Sequence, residues 1–340
     1  MKAAVFRDKS FALEEVPYPT LEPHGVIVKV AAAGICGSDL HFFQRGGRPG
    51  SPGVIMGHEF SGDVVEVGAE VKGVKKGDRV VAMSGKGCGE CYWCKRGEFI
   101  KCAKLGFVGY AIQGAFAEYV HVPNFRIGQY CAKLTPKISY EEGAVAEPIS
   151  VAWYAVTQIK PRPDEICVVI GLGVIGLAIV QILKSMGVST IIASGRREER
   201  LRIARESGAS VVVDAAKENV VAAVADVAKN GRGADVVFEV AGFAETFRQA
   251  LQMVHRGGRV DLVGLYSEPI TWSPNALVGN DVNLFGCGLK WDLPGAVELL
   301  KAGKVNAKLL VTHQFPLAQA NEAFATQLKD AKAIKVVMKP

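Results

Sequence analysis

Two patterns of apolar and polar residues divide this chain of 340 residues. Up to about residue 150, short runs such as Val26–Val30 and Asp63–Gly68 alternate apolar with polar positions, and Gly, Pro and Asp separate the runs. Alternation with a period of two is typical of strands that bury one face. This part of the chain therefore predicts a compact β-rich domain.

From about 151 to 288, short β-prone apolar runs alternate instead with stretches of helix length. The runs are Ile166–Ile170, Thr190–Ala193, Ser210–Val213, Asp235–Val240 and Val260–Gly264. Such alternation predicts a parallel, doubly wound sheet. The tail from Leu293 to Pro340 adds two amphipathic stretches and a final strand over 334–338. The whole sequence predicts an α/β protein of two domains, which its length also favours.

A glycine-rich turn follows the first of these runs. The turn consists of Gly171, Leu172, Gly173, Val174, Ile175 and Gly176. Its first glycine permits a tight bend, its second lets a pyrophosphate approach the backbone, and its third lets the following helix pack closely on the strand. The N-terminus of that helix then faces the negative charge. The position between strand and helix predicts a dinucleotide-binding site.

The end of the next strand indicates which dinucleotide is bound. An acid about twenty residues beyond the glycines would bind the ribose 2′-hydroxyl of NAD. Gly195 occupies that position, between Ser194 and the pair Arg196 and Arg197. Two guanidinium groups can bind a 2′-phosphate, so the sequence favours NADP(H), with NAD(H) as the alternative. The arginines could instead be solvated charges that open a surface helix, since 198–200 are also charged.

Other strand ends suggest where the nicotinamide lies. The backbone of five residues could hold its amide: Val240, Gly242, Val263, Gly264 and Leu265. Packing alone would also explain these residues.

Four cysteines lie close together in the β-rich part. They are Cys88, Cys91, Cys94 and Cys102, with the spacing C-x2-C-x2-C-x7-C. Four thiolates at such spacing form a closed tetrahedral zinc site, which has a structural role because no position is left for a substrate. The alternative is a pair of disulfides in a secreted module, but x2 spacings suit metal chelation better.

A second candidate metal site lies upstream. Cys36 and His58 offer a thiolate and an imidazole, and Glu59 and Glu147 are the candidate carboxylates. Catalytic zinc usually takes three protein ligands and keeps one position for water or substrate. Taken singly, the cysteine could be a buried small side chain and the histidine an ordinary core residue. Together with the four-cysteine site and the glycine-rich turn, they favour a catalytic zinc site.

Composition narrows the functional class. The net charge is +6 with scattered basic residues, so nothing indicates a nucleic-acid partner. We find no apolar run of membrane-spanning length, and the start Met1–Phe6 is too short for a signal peptide. Eight cysteines, half of them in the predicted zinc site, indicate a reducing cytoplasm.

With these residues assembled, the chain resembles the zinc-dependent medium-chain alcohol dehydrogenases, in the branch of sorbitol and other polyol dehydrogenases. The resemblance covers essentially the whole chain and rests on ordered blocks: GICGSDLH, GHEFSGDVVEVG, KKGDRV, the four-cysteine lobe, GAFAEYV, EEGAVAEPISVAWYAV, GLGVIG, VDLVGL and LLVTHQFPLAQANEAF. It implies a discontinuous GroES-like zinc-binding catalytic domain over 1–150 and 289–340. It also implies a Rossmann dinucleotide-binding domain over 151–288.

The resemblance implies an enzyme that transfers a hydride between a secondary alcohol or polyol, or the corresponding ketone, and a nicotinamide cofactor. Cys36, His58 and a carboxylate would bind the catalytic zinc, with Glu59 and Glu147 both matching acidic positions near the metal. We expect two zinc ions per chain, and a mechanism in which Cys36, His58 and Glu147 hold one of them. Ser38 and His41 would carry the alcohol proton outward. A homodimer or homotetramer is expected.

Two departures from the family pattern matter. Gly195 replaces the acid of NAD-dependent members, and Gly286–Trp291 lacks the arginine that polyol-active relatives tend to carry. Aromatic residues could instead form a more apolar substrate pocket, or could serve the core: Phe42, Phe43, Tyr110 and Trp291. The alternatives are an NAD-dependent polyol or threonine-type dehydrogenase, a catalytically inactive dinucleotide-binding protein, and a zinc-free reductase of quinones or enones.

Overall fold

The computed structural model describes residues 1–46, 53–83, 85–229, 232–288 and 291–340. The chain divides into two compact units. The first contains 1–150, 291–303 and 307–340, and the second contains 151–290 and 304–306.

The elements of the described residues follow in chain order. The strands are β1 (Lys2–Arg7), β2 (Ser10–Glu15), β3 (Val26–Gly34), β4 (Val54–Ile55), β5 (Glu59–Val67), β6 (Arg79–Ala82), β7 (Gly85–Lys86), β8 (Gly106–Phe107), β9 (Tyr119–Val122), β10 (Cys131–Lys133), β11 (Ile166–Ile170), β12 (Thr190–Gly195), β13 (Val211–Asp214), β14 (Ala234–Glu239), β15 (Val254–Leu262), β16 (Asn283–Gly286), β17 (Val311–Pro316) and β18 (Lys335–Lys339). The helices are α1 (Gly37–Arg45), α2 (Tyr92–Lys95), α3 (Tyr140–Ala144), α4 (Ala146–Ile159), α5 (Val174–Ser185), α6 (Glu198–Glu206), α7 (Val220–Ala228), α8 (Ala244–Met253), α9 (Asn275–Val278), α10 (Leu293–Lys301) and α11 (Ala320–Lys329). Short 3-10 helices cover Phe99–Lys101, Ala307–Leu309 and Leu317–Gln319. Among these described helices, none has the length and apolar character that a bilayer crossing requires.

The first unit is β-rich, as predicted. Its main sheet has the order β10-β6-β5-β3-β18-β17, and β9 also pairs with β3. The pairs are antiparallel except β17 with β18. A second sheet has the order β2-β1-β4, and β7 pairs with β8. The tail of the chain thus enters the main sheet through β18, which lies beside β3.

Phenylalanine rings dominate one region of the core of this unit. Phe11 lies 4.6 Å from Phe324 and 5.8 Å from Phe43, measured between ring centroids. Phe6 lies 5.8 Å from Phe42 and 5.6 Å from Phe43. Aromatic pairs at these distances add packing energy beyond the burial of their area. Phe42 and Phe43 therefore serve the core of the first unit.

The second unit contains a parallel six-stranded sheet, which confirms the predicted Rossmann architecture. Its order is β13-β12-β11-β14-β15-β16, so the strand order reverses between β11 and β14. Ile170 lies beside Ser194 on one side and beside Glu239 on the other. The glycine-rich turn after Ile170 therefore leaves the sheet at the switch point, where open α/β sheets bind their ligands.

One face of this sheet is built from alternate residues of adjacent strands. Val168, Ile192, Val237 and Val260 are fully buried and belong to a single apolar cluster. Side chains alternate between the faces of a strand, so these four valine and isoleucine residues align across the sheet. The continuous apolar runs of the sequence reflect a sheet buried on both faces.

Asp261 interrupts this apolar pattern on β15. The residue is fully buried. Its Oδ1 atom accepts a hydrogen bond of 3.3 Å from Nε2 of Gln158, and its Oδ2 atom has no hydrogen-bond partner within the described residues. Gln158 is itself held by the Tyr154 hydroxyl at 2.9 Å. Burial raises the pKa of Asp261 to about 7, with the Gln158 hydrogen bond opposing the shift.

Replacing Asp261 with Asn should remove a pH dependence of folding. Because burial raises the folded-state pKa from 3.8 to about 7, the folded protein holds this proton more tightly than the unfolded chain does. The free energy of unfolding of the wild type, relative to the variant, should fall as pH rises from about 4 to about 7 and stay level above that, by at most about 4 kcal/mol. Urea denaturation of both proteins across this range measures the difference. A difference that is constant with pH would contradict a raised pKa.

Candidate functional site

Three predicted zinc ligands meet where β3 and β5 end their pairing. Gly34, the last residue of β3, lies opposite Glu59, the first residue of β5. Cys36, which follows β3, therefore lies near His58, which precedes β5. One ligand atom each of Cys36, His58 and Glu59 lies within 4.8 Å of the others. A thiolate, an imidazole and a carboxylate form a donor set that zinc accepts. The residues therefore fit a metal cation.

Asp39 supports two members of this cluster. It is fully buried in the first turn of α1. Its Oδ2 atom accepts a 2.9 Å hydrogen bond from the backbone N–H of Cys36, and its Oδ1 atom lies 3.6 Å from Nδ1 of His58. Burial lowers the pKa of His58, but the negative groups of Asp39 and Cys36 raise it by more, so that it lies well above its ordinary value. The surroundings of this imidazole are thus negative, which suits a cation.

Lys335 also contacts the cluster. Its Nζ atom donates to Glu59 Oε1 at 2.8 Å, to Glu59 Oε2 at 2.5 Å and to the carbonyl oxygen of Ile35 at 2.8 Å. Lys335 is 2% exposed and Glu59 is fully buried. Burial lowers the pKa of Lys335, but the charge of Glu59 raises it by more, so the ammonium form is kept. Glu59 is therefore held by a buried cation while it faces the metal ligands.

Glu147 takes a different position. It lies in the first turn of α4 and is 6% exposed. Burial raises the pKa of Glu147 to about 7, and neighbouring charges on His58 and Glu59 act in opposite directions on it. Within the described residues, the three-ligand cluster includes Glu59 and does not include Glu147. The structure thus places both carboxylates near His58, with Glu59 the nearer to a ligand position.

Ser38 and His41 lie three residues apart on α1. Ser38 is half-buried and its side chain acts to lower the pKa of the Tyr110 hydroxyl, whereas His41 is exposed. The Tyr110 ring lies 5.4 Å from the His58 ring, and burial raises the pKa of its hydroxyl. Residues three apart on a helix share a face. The helix therefore leads from the interior at Ser38 to solvent at His41.

The four remaining metal-site cysteines also come together. Their Sγ atoms all lie within 4.8 Å of one another in Cys88, Cys91, Cys94 and Cys102. All four side chains are free thiols, and none forms a disulfide. The backbone N–H of Cys91 donates to Cys88 Sγ at 3.4 Å, and that of Cys88 donates to Cys102 Sγ at 3.4 Å. Backbone hydrogen bonds lower the pKa of Cys88 to about 6. These four thiols fit a closed zinc site.

The second unit has a cavity of about 950 Å³ at the carboxyl end of its sheet. Eight of the predicted cofactor residues line it: Gly171, Leu172, Gly173, Ser194, Gly195, Arg196, Arg197 and Val240. The other seven do not line it: Val174, Ile175, Gly176, Gly242, Val263, Gly264 and Leu265. Gly176 is required by packing, because a Cβ atom there would lie 1.9 Å from the carbonyl oxygen of Gly171. Gly171 and Gly173 thus line the cavity, whereas Gly176 is required by the fold.

Three arginines, Arg196, Arg197 and Arg200, line this cavity together with two acids, Glu218 and Glu245. Arg196 is exposed and forms a 3.3 Å ion pair with Glu245. Arg200 also lines the cavity, and burial together with the charge of Arg197 lowers its pKa to about 10. Sequence reasoning grouped Arg200 with the surface charges and missed it. Its position in the first turn of α6, directly after Arg196 and Arg197, is the signal that could have grouped it with them.

Comparison with known proteins agrees with both halves of this description. Residues 22–135 match the model of the alcohol dehydrogenase GroES-like domain, and residues 174–302 match that of the zinc-binding dehydrogenases. The chain is 33% identical over 350 residues to the sorbitol dehydrogenase of Bacillus subtilis (strain 168), covering 100% of this chain and 97% of that protein.

Two solved structures with bound cofactors are similar over the full length. A zinc-binding dehydrogenase of Sinorhizobium meliloti 1021 bound to NADP has a TM-score of 0.90 and 30% identity, with 100% of this chain and 99% of that chain covered. An alcohol dehydrogenase of Escherichia coli CFT073 complexed with NADH has a TM-score of 0.89 and 27% identity, with the same coverage.

The fold and the donor sets define a zinc-type dehydrogenase built from a GroES-like and a Rossmann part. The chain belongs to the zinc-dependent medium-chain alcohol dehydrogenases, is polyol-dehydrogenase-like, and is an alcohol dehydrogenase.

Replacing Lys335 with Met should leave the Glu59 carboxylate buried without its partner. Loss of one member of a buried ion pair destabilises by about 3–5 kcal/mol, so the free energy of unfolding of the metal-free protein should fall by about that amount. The control is Lys339→Met, which removes an exposed lysine on the same strand that pairs with Glu141. That change should cost about 0–1 kcal/mol.

Urea denaturation measures both variants. Adding Glu59→Gln to Lys335→Met should recover part of the loss, because the uncompensated charge is then gone. Equal stability of the Lys335 and Lys339 variants would show that the ion pair contributes nothing to folding.

Proposed function

We propose that this enzyme transfers a hydride between a secondary alcohol or polyol, or the corresponding ketone, and NADP(H). The cluster of Cys36, His58 and Glu59 in the first unit carries this proposal, because it is a three-ligand set of the kind that binds catalytic zinc. The cavity of the second unit supports the choice of cofactor.

Two zinc ions per chain fit the donors. Cys36, His58 and a carboxylate would hold one ion, and the four-cysteine site would hold the other. Zinc in the first position would supply a Lewis acid that lowers the pKa of an alcohol hydroxyl group. We favour Glu59 as the carboxylate of the resting site, because its oxygen lies with the other two ligand atoms. Glu147 is the alternative, as a buried acid near His58 that can carry or release a proton near neutral pH.

The chain's own residues would then move the alcohol proton. Ser38 is half-buried and can accept a proton through its hydroxyl group, and His41 lies at the exposed end of the same helix face. Asp39 would keep the His58 ring in one orientation through Nδ1. This arrangement would remove a proton from the reacting hydroxyl group before hydride leaves the carbon.

The charges at the end of β12 favour NADP(H). Gly195 leaves the 2′ position of the ribose without an acid, while Arg196, Arg197 and Arg200 line the same cavity. Guanidinium groups recognise phosphate by paired hydrogen bonds. The similar NADP-bound structure supports this preference, and the NADH-bound one keeps NAD(H) as the alternative. The backbone at 171–173 would hold the pyrophosphate in either case.

Four aromatic residues bear on the substrate class. Phe42 and Phe43 pack in the core of the first unit, so they do not form the candidate apolar pocket. Tyr110 packs on His58, and the Trp291 ring lies 5.8 Å from the Phe107 ring. The segment without the family arginine includes Leu289 and Lys290, which lie outside the described residues. An NAD-dependent polyol or threonine-type dehydrogenase therefore stays the second candidate. We further propose that the chain forms a homodimer or homotetramer. We also propose that the protein lies in the cytoplasm, because eight cysteines without a disulfide favour a reducing compartment.

The double change Arg196→Ala with Arg197→Ala tests the cofactor preference. It should raise the Michaelis constant for NADP⁺ by about tenfold or more, since charge-assisted hydrogen bonds to the 2′-phosphate are lost, and should change that for NAD⁺ little. Arg202→Ala is the matched control, because Arg202 lies on α6 but pairs with Glu199 and Glu206. Steady-state kinetics on polyols, diols, hydroxy acids and their ketones, with both cofactors, provide the measurement. An unchanged constant for NADP⁺ in the double variant would rule out the 2′-phosphate interpretation.

The change Cys36→Ser tests the catalytic zinc site. Metal analysis of the purified wild type should give two zinc ions per chain, and of the variant one. Activity should fall by at least about a thousandfold, while the melting temperature changes little. Cys91→Ser is the comparison: it should also lose one zinc ion, but it should lower the melting temperature, since structural zinc contributes folding energy. Comparable turnover by the wild type and Cys36→Ser would exclude zinc-assisted chemistry.

A further inference from the structure

Glu239 is a fully buried carboxylate at the carboxyl end of β14, and the catalytic proposal does not use it. Its Oε1 atom accepts hydrogen bonds from the backbone of Ala241 at 2.9 Å and of Gly242 at 3.0 Å, and from the Thr246 hydroxyl at 2.8 Å. Its Oε2 atom accepts from the Tyr266 hydroxyl at 2.5 Å and from Gly242 at 3.2 Å. All of these donors are neutral. They belong to two separate loops, 240–243 and 263–266, and to the first turn of α8, which contains Thr246.

The two loops also contact each other through their backbones. The N–H groups of Val263 and Gly264 donate to the carbonyl oxygen of Glu239 at 2.8 and 2.9 Å. A Cβ atom on Gly264 would lie 2.4 Å from the backbone nitrogen of Gly242, and one on Gly242 would lie 2.4 Å from the carbonyl oxygen of Leu265. Only glycine allows this approach at both positions. The backbone and the carboxylate therefore fix one arrangement of the loops.

The same loops present apolar side chains that the described residues leave largely exposed. Phe243 is 66% exposed and Leu265 is 71% exposed, although both are large apolar side chains. Val240, Phe243 and Thr246 line the cavity that begins at the glycine-rich turn. The nicotinamide ring of a cofactor that extended beyond this cavity would cover the apolar side chains of Phe243 and Leu265. The backbone of the loops could then bind the amide group of the nicotinamide. Val240, Gly242 and Leu265 of these segments are among the residues whose backbone, by sequence analysis, could hold the nicotinamide amide.

We propose that Glu239 is a positioning residue that holds the two loops in the arrangement that binds the nicotinamide end of the cofactor. This inference rests on the proposed dinucleotide site but not on its preference for NADP(H). A carboxylate suits this position because both of its oxygens accept hydrogen bonds from backbone N–H groups, whereas the NH2 group of glutamine would face at least one of those N–H groups as a second donor. Pre-organised loops spare the cofactor the entropy of ordering them.

Glu239→Gln tests the proposal in the full-length enzyme. Fluorescence titration with NADPH and with NADH should show Kd values about tenfold higher for both, because the nicotinamide end is common to them and a charge-assisted bond is lost. At saturating cofactor kcat should fall as well, since the ring is less well oriented. Tyr266→Phe, which removes one donor and leaves the carboxylate, should raise both Kd values by about threefold.

Asp235→Asn is the matched control. Asp235 is 3% exposed at the opposite end of β14 and accepts hydrogen bonds from the backbone of Ile166 at 2.8 Å and from Arg232. This variant should lower the melting temperature about as much as Glu239→Gln does, while both Kd values and kcat stay within about twofold of the wild type. Equal effects of Glu239→Gln and Asp235→Asn on Kd would overturn the proposal.

If Glu239→Gln does not fold, Tyr266→Phe decides alone, and an unchanged Kd in that variant would overturn the proposal. The result is separable from the cofactor preference. Failure of the 2′-phosphate interpretation would appear in Arg196→Ala with Arg197→Ala and would leave the Glu239 effect equal for the two reduced cofactors.

Discussion

The buried ion pair between Glu59 and Lys335 links parts of the chain that are 276 residues apart. It lies beside the pairing of β18 with β3, in which Val337 lies opposite Gly34. The last strand of the chain therefore lies next to the metal cluster. All three protons of the lysine ammonium have acceptors, two on Glu59 and one on Ile35. A buried charge is tolerated only when it is paired and hydrogen-bonded in this way. The carboxylate of the candidate zinc site thus depends on a residue from the tail.

The two units hold sites of opposite character. In the first unit, Cys36, Glu59 and Asp39 surround His58 with negative groups, and a cation is the ligand that such a site favours. In the second unit, Arg196, Arg197 and Arg200 and a helix N-terminus face one cavity, and an anion is favoured there. A metal-dependent reaction with a phosphate-bearing cofactor needs both kinds of site.

The carboxyl end of the parallel sheet is organised by local backbone requirements. Gly171 has a φ of +98°, and Gly242 has a φ of +74°, both in the region that other residues rarely adopt. Glu239 then uses its two oxygens to join the loops that follow β14 and β15. Rigid strands end in loops whose conformation is fixed by glycine and by one buried carboxylate, and such positioning suits a ligand that must be oriented precisely.

The sequence by itself determined the family, the α/β class, the glycine-rich turn and the four-cysteine site. Each motif of this kind is a short contiguous segment, so its spacing already fixes most of its geometry. Only the tertiary structure placed Lys335 against Glu59, put Glu147 outside the three-ligand cluster, and moved Phe42 and Phe43 into the core. It also revealed Arg200 in the cavity of the second unit and the partners of Glu239 and Asp261. These contacts join residues distant in sequence or depend on which face of an element is buried, and that is decided by packing rather than by local pattern.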